Sequence, residues 1–94
     1  MKARIAIAIA AAALLTAGAA QASSDIADKA GCNKCHATDA KKMGPSYKDI
    51  AKKFKGNAAA QGDIVKKLMT GTGHPKASAS EADLTAVTKW ILSM

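Results

Sequence analysis

The 94-residue chain is poor in the residues from which small proteins usually build a core. It has two cysteines, two prolines, two histidines and three aromatic residues, Tyr47, Phe54 and Trp90. A domain this short and this thin in large side chains ordinarily needs a staple. The two cysteines, Cys32 and Cys35, are three residues apart and have no second pair. No alternating strand pattern, internal repeat or low-complexity tract stands out after the N-terminal stretch. Nor is there a Ser/His/Asp or Cys/His triad, a carboxylate dyad or a phosphate-cradling glycine loop. Acids are also scarce, 7 against 14 basic residues.

What is present begins with an export signal. Lys2 and Arg4 make a positive start, Ile5 to Leu15 form an apolar run, and Ala20-Gln21-Ala22 is a small-residue cleavage pattern ahead of Ser23. The apolar run is too short to span a bilayer, and no stop-transfer pattern follows, which argues against a retained membrane anchor. The expectation is a signal peptide over 1–22, removed on export to the periplasm, and one small domain over 23–94 without stable membrane insertion. Much of the chain's hydrophobic content leaves with the signal. The remaining domain holds 12 lysines against 7 acids, a formal charge of +5. Nucleic acid is an unsuitable partner for an exported protein. A basic face can meet an acidic protein or an anionic lipid surface.

Cys32-Asn33-Lys34-Cys35-His36 is the stretch that organises the rest. Two thiols at this spacing can each add across one vinyl group of a haem, and the following imidazole can reach the iron. Thioredoxin-like redox sites and zinc half-sites share the CxxC spacing. The adjacent His36, the missing second pair and the lack of a mixed βαβ context argue against both, and a plain Cys32–Cys35 disulfide leaves His36 without a role. The motif predicts one haem c, covalent through Cys32 and Cys35. That disc supplies the staple the composition asks for, and its two propionates lower the net charge.

The remaining pattern is helical. Ser24 is a candidate N-cap for a short helix from Asp25 to about Gly31. Gly44-Pro45 reads as loop. A second helix runs from about Ser46 to Phe54 with Tyr47, Ile50, Ala51 and Phe54 on one face, and Gly56 ends it. Asn57 or Gly62/Asp63 opens a third, with Ile64, Val65 and Leu68 apolar, finishing near Gly71. A loop, Thr72 to Ala79, contains Gly73, His74 and Pro75. Ser80-Glu81-Ala82-Asp83 then resembles a capping box for a last helix with Leu84, Val87, Ile91 and Leu92 as its apolar stripe.

Taken together, Gly31-Cys32-x-x-Cys35-His36, then Lys42-Met43-Gly44-Pro45-Ser46-Tyr47-Lys48-Asp49-Ile50-Ala51, and last Thr88-Lys89-Trp90-Ile91-Leu92-Ser93 resemble a small bacterial monohaem class I cytochrome c (cytochrome c8/c5-like). The resemblance covers all of 23–94. It implies an all-α class I cytochrome c fold, three to five short helices wrapped around one covalently bound haem, with the first and last helices crossing beside it. By the same resemblance Pro45 offers its carbonyl to Nδ1–H of His36, which fixes the ring. Ala27 and Ile26 stand where the family often has a bulky aromatic, so the crossing with Trp90 is expected to pack differently.

The sixth iron ligand is open. In the family it is usually a Met followed by Pro, about sixteen residues before the Trp of the last helix. That count back from Trp90 lands on His74-Pro75 instead. Met1 leaves with the signal, Met43 adjoins the Gly44-Pro45 corner on the His36 side, and Met94 is the last residue, so Met69 is the competitor. Leu68 more naturally faces the haem, which turns Met69 aside into core filling. The readings are therefore His36/His74 iron ligation first and His36/Met69 second. A second imidazole lowers the potential relative to a thioether. A six-coordinate iron disfavours oxygen or peroxide chemistry, so the expectation is a one-electron carrier rather than an enzyme, and a monomer. Its partners are acidic donor and acceptor cytochromes or oxidoreductases, steered by lysines around the haem edge; ordinary solvation of helix faces also accounts for such lysines. The alternative from a different class is a ligand-binding or sensing haem protein with a displaceable sixth ligand.

Overall fold

The computed structural model describes residues 21–94, so the expected signal peptide lies outside the described residues as far as residue 20. Among the described residues there are helices and no strand. The order is α1 (21–29), a 3₁₀ turn Cys32–Lys34, α2 (Tyr47–Lys53), α3 (Ala60–Thr70) and α4 (Glu81–Leu92). One isolated antiparallel bridge joins His36 and Lys41.

α2 and α4 start alike. Ser46 and Ser80 have extended backbones, and each Oγ accepts the N–H three residues on, from Asp49 at 3.1 Å and from Asp83 at 3.2 Å. Such a cap contributes about 1 kcal/mol. Asp49, Glu81 and Asp83 also put negative charge at the positive end of each helix. α3 has no side-chain cap: Ala59 holds the cap position, and Asn57 Oδ1 accepts the Ala59 N–H at 3.1 Å. The helix therefore opens at Ala60, between the two starts that its sequence offered. It closes at Gly71, whose left-handed φ of 75° lets its N–H reach Lys67 O at 2.8 Å.

α1 departs from the expectation. The helix is already formed at residue 21, and Ser24 lies inside it rather than at its cap. Residues 21 and 22, which the expected cleavage removes, form its first turn in the full-length chain. At the other end α1 stops at residue 29, and Gly31, with φ of 85°, turns the chain into the Cys32–Lys34 turn.

α4 is the packing hub, laid against both α2 and α3. Its Leu84 and Val87 are fully buried in one cluster with Ala27 of α1 and Val65 and Leu68 of α3. Each such aliphatic side chain contributes about 1.5–3 kcal/mol over leaving it exposed. Ala27 is fully buried too, so a methyl fills the contact where a large ring was the family's habit. Trp90, partly buried, turns instead to Tyr47 of α2, with ring centroids 5.9 Å apart and planes tilted by 60°.

Candidate functional site

The Cys32–Lys34 turn is built by short-range hydrogen bonds: Lys34 N–H to Gly31 O at 3.2 Å, Cys35 N–H to Cys32 O at 3.2 Å and His36 N–H to Cys32 O at 3.0 Å. This winding sets the side chains of Cys32, Cys35 and His36 on the wall of one cavity. Both cysteines are free and half-buried, so no disulfide joins them. Burial pushes the Cys32 thiol up, with a backbone hydrogen bond pulling the other way, and it is held protonated at neutral pH.

His36 is gripped from several directions. Its Nδ1–H donates to Pro45 O at 2.6 Å. A carbonyl can only accept, so the proton is on Nδ1 and the lone pair on Nε2 is free for a metal. A Cβ at Gly44 would collide with His36 Cε1 and lie 2.9 Å from Nδ1 and 3.0 Å from Nε2, so only glycine lets the chain pass this ring. The Tyr47 ring lies nearby, centroids 5.7 Å apart and planes 26° from parallel. Tyr47 O–H in turn donates to Asn33 Oδ1 at 2.6 Å, Asn33 Nδ2–H donates to Asp28 Oδ1 at 3.0 Å, and Lys42 Nζ donates to Asn33 O at 2.8 Å. This network ties α1, the cysteine turn and α2 together. Burial above all, with the nearby Asp28 carboxylate, pushes the Tyr47 phenol up to about 12.

His74 comes from the loop after α3. Gly71 and Gly73 both have positive φ, 75° and 73°, and the loop is tied back by Ala77 N–H to Leu68 O at 2.9 Å. His74 Nδ1–H donates to Pro75 O at 2.7 Å, so its Nε2 is also left with a lone pair. The two imidazoles lie parallel to within 5°, with centroids 6.1 Å apart. Two metal–imidazole bonds of about 2.0–2.1 Å laid end to end, plus about 1 Å from each ring nitrogen to its centre, span about 6 Å. The centroid separation of the two rings matches that sum.

The cavity holds about 520 Å³, within the usual range for a cofactor pocket, and Ile50, Phe54, Ile64, Leu68, Val87 and Ile91 give it apolar walls. Lys67 and Lys76 are the charged residues along it. Met69 is not part of it: 38% exposed, it lines a separate groove with Gln61 and Glu81. Met43, beside Gly44, is 87% exposed at the cavity's edge, and Met94 is at the end of the chain. Among the described residues no three His, Cys, Asp or Glu side chains converge, so the closed cage of a structural zinc site is not formed. An apolar slot lined by two thiols and two parallel imidazoles fits a large flat disc with a central metal.

The same answer comes from comparison with known proteins. No family model matches the chain. The cytochrome c-551 of Allochromatium vinosum is 40% identical to it over 90 residues, covering 87% of this chain and 96% of that protein. The chain belongs to the class I cytochromes c. The cytochrome c-552 of Nitrosomonas europaea is 38% identical over 93 residues, 90% of either protein, and the cytochrome c2 of Rubrivivax gelatinosus is 42% identical over 78 residues, 72% of this chain and 92% of that one. The crystal structure of the class 1 cytochrome MtoD from Sideroxydans lithotrophicus ES-1 superposes with a TM-score of 0.66 at 32% identity, covering 78% of this chain and 92% of that one. As a small monohaem cytochrome c, the protein works in electron transport and carries one covalently bound c-type haem.

Three contributors to this cytochrome c site were missed by reading the sequence. Asn33, inside the cysteine motif, is the hub of the Tyr47–Asp28 network. Gly44 admits the His36 ring, and Pro75 holds His74. A signal existed for two of them. Both histidines are accompanied by a proline whose carbonyl is in reach, and a glycine directly precedes Pro45.

Proposed function

We propose that this cytochrome c is a soluble periplasmic one-electron carrier. In this reading its export signal is cleaved after Ala22, the haem is bonded to Cys32 and Cys35, and the iron is ligated by His36 and His74. The observation that carries the ligation is the pair of parallel imidazoles, 6.1 Å apart across the cavity, each with Nδ1–H on a proline carbonyl. Met69 supports the same choice by lining a different groove, between α3 and α4.

The haem, when bound, supplies one-electron exchange between ferrous and ferric iron. The chain's residues do the rest. Cys32 and Cys35 anchor the disc, the apolar walls keep water off it, and Pro45 and Pro75 hold the protons of both imidazoles on Nδ1. With His36 and His74 both holding the metal, no position would be left for oxygen or peroxide, and the protein would pass electrons without transforming a substrate. Lys67 and Lys76 at the cavity, among other exposed lysines, favour acidic redox partners. Among the described residues no helix is long and apolar enough to cross a membrane.

The near-infrared spectrum of the oxidised protein tests the ligation. Two histidines give no sulfur-to-iron charge-transfer band; its presence rules out the His36/His74 pair. Carbon monoxide tests the carrier role against ligand sensing, since a rapid shift of the ferrous Soret band on exposure marks a displaceable sixth ligand.

A further inference from the structure

Both candidate ligands are oriented by backbone carbonyls, but the two carbonyls are of different kinds. His36 is nine residues from Pro45, and its ring is also confined by Gly44 and accompanied by Tyr47. His74 lies on a loop whose glycines, Gly71 and Gly73, adopt left-handed backbones, and the hydrogen bond its ring makes is to its immediate neighbour, Pro75. The loop needs some other source of rigidity if His74 is to stay aimed.

We propose that Pro75 is the positioning residue for the sixth iron ligand, holding the His74 ring parallel to that of His36. This rests on the His36/His74 ligation above. Proline acts twice. Its ring excludes the helical region for the residue before it, which restricts the His74 backbone to extended values. Its own φ is fixed near −65°, which removes one of the two backbone rotations that decide where the Pro75 carbonyl lies. The Nδ1–H···O bond of 2.7 Å between adjacent residues depends on both restrictions together. The outcome is the 5° angle between the two imidazole planes. A carbonyl on Nδ1–H also makes each imidazole a stronger donor through Nε2, which stabilises ferric iron.

The geometry has a spectroscopic signature distinct from stability. Parallel axial imidazoles split the iron d orbitals unequally and give a ferric low-spin resonance with three well-separated g values. Crossed planes give one dominant large-g feature. The experiment is electron paramagnetic resonance and redox titration of the haem-loaded full protein, unaltered and as Pro75→Ala and Pro75→Gly, with thermal melting alongside. The unaltered protein is expected to show the three-g-value signal. Pro75→Gly, which frees both the His74 backbone and the carbonyl, is expected to spread that signal toward the large-g form and raise the potential, with Pro75→Ala between. Unchanged g values and potential in both variants, with only a lower melting temperature, overturn the positioning role. A single large-g signal in the unaltered protein overturns the parallel arrangement even if neither variant folds. A sulfur-to-iron band in the unaltered protein overturns the ligation itself, and with it any role for Pro75.

Discussion

The imidazole planes of His36 and His74 are 5° from parallel at a centroid separation of 6.1 Å. Those two numbers make the first prediction specific. His74→Ala removes one of the pair and leaves Met69 outside the cavity, so the ferric iron turns high-spin in the visible spectrum. His74→Met restores a low-spin iron with a sulfur band and raises the potential by a fraction of the ~0.8 V over which axial ligands move haem potentials. A His74→Ala protein that stays low-spin points to Met69.

Gly44 makes the second. Any side chain there meets the His36 ring within 3.0 Å of two of its nitrogens. Gly44→Ala forces the ring or the loop aside, and overpacking of this kind costs about 1–3 kcal/mol. Denaturant unfolding of the purified variant measures the loss, and the yield of haem-loaded protein falls with it.

Tyr47 gives a pH dependence. Burial above all, with the Asp28 carboxylate, disfavours the phenolate and pushes the folded phenol up to about 12 against about 10 in an unfolded chain. Above pH ~10 the unfolded chain loses its phenol proton while the folded one keeps it, so the unfolded state binds fewer protons and stability falls as pH rises. The contribution is fully present below about pH 10 and lost through about 12. Tyr47→Phe removes this slope, and at neutral pH it costs about 1 kcal/mol for the lost hydrogen bond to Asn33. Unfolding free energies of both proteins from pH 8 to 12 read out the difference.

Thr88 predicts a gain. Its Oγ1 is buried without a partner, on a side chain only 2% exposed, whereas Thr70 and Thr85 each donate to the carbonyl four residues back, at 2.9 and 2.8 Å. A buried hydroxyl with no partner costs about 1–3 kcal/mol. Thr88→Val keeps the shape and removes the polar atom, so the melting temperature rises by the equivalent of about 1 kcal/mol. Thr88 also lines the cavity, so an unchanged or lower melting temperature of the haem-loaded variant assigns its hydroxyl a partner on the bound group.

Charge steering is tested by kinetics. With Lys67 and Lys76 bordering the cavity, electron exchange with an acidic partner slows as salt rises past the ~10 Å screening length of 0.1 M. Replacing both with Gln lowers the low-salt association rate about tenfold or less. A rate flat in salt assigns the lysines to solvation alone.

The helices whose starts were readable are those whose starts are chemical. Ser46 and Ser80 announce α2 and α4 because a hydroxyl three residues ahead of an N–H is a local, sequence-encoded contact. α3 begins at Ala60 without such a group, and α1 runs back through Ser24 because a hydroxyl caps only where a helix stops. The cysteine turn is equally local, and its spacing carries it. The contacts that orient the two imidazoles are harder to read, because Pro45 and Pro75 act through backbone carbonyls, which every residue has. Likewise, the apolar stripe of Leu84, Val87, Ile91 and Leu92 did not mark Thr88 as buried, and no pattern says that its hydroxyl goes unpartnered while that of Thr85 does not. Met69 and Leu68 are adjacent, and one residue of helical rotation, 100° for 3.6 residues per turn, is what separates a cavity wall from an outer groove.

Ala27 and Leu84 stand near opposite ends of the described chain, yet they share one fully buried cluster. A polypeptide delivered from its N-terminus cannot shut that cluster until its final helix arrives. The cavity that Cys32 and Cys35 line thus lacks Val87 and Ile91 until then.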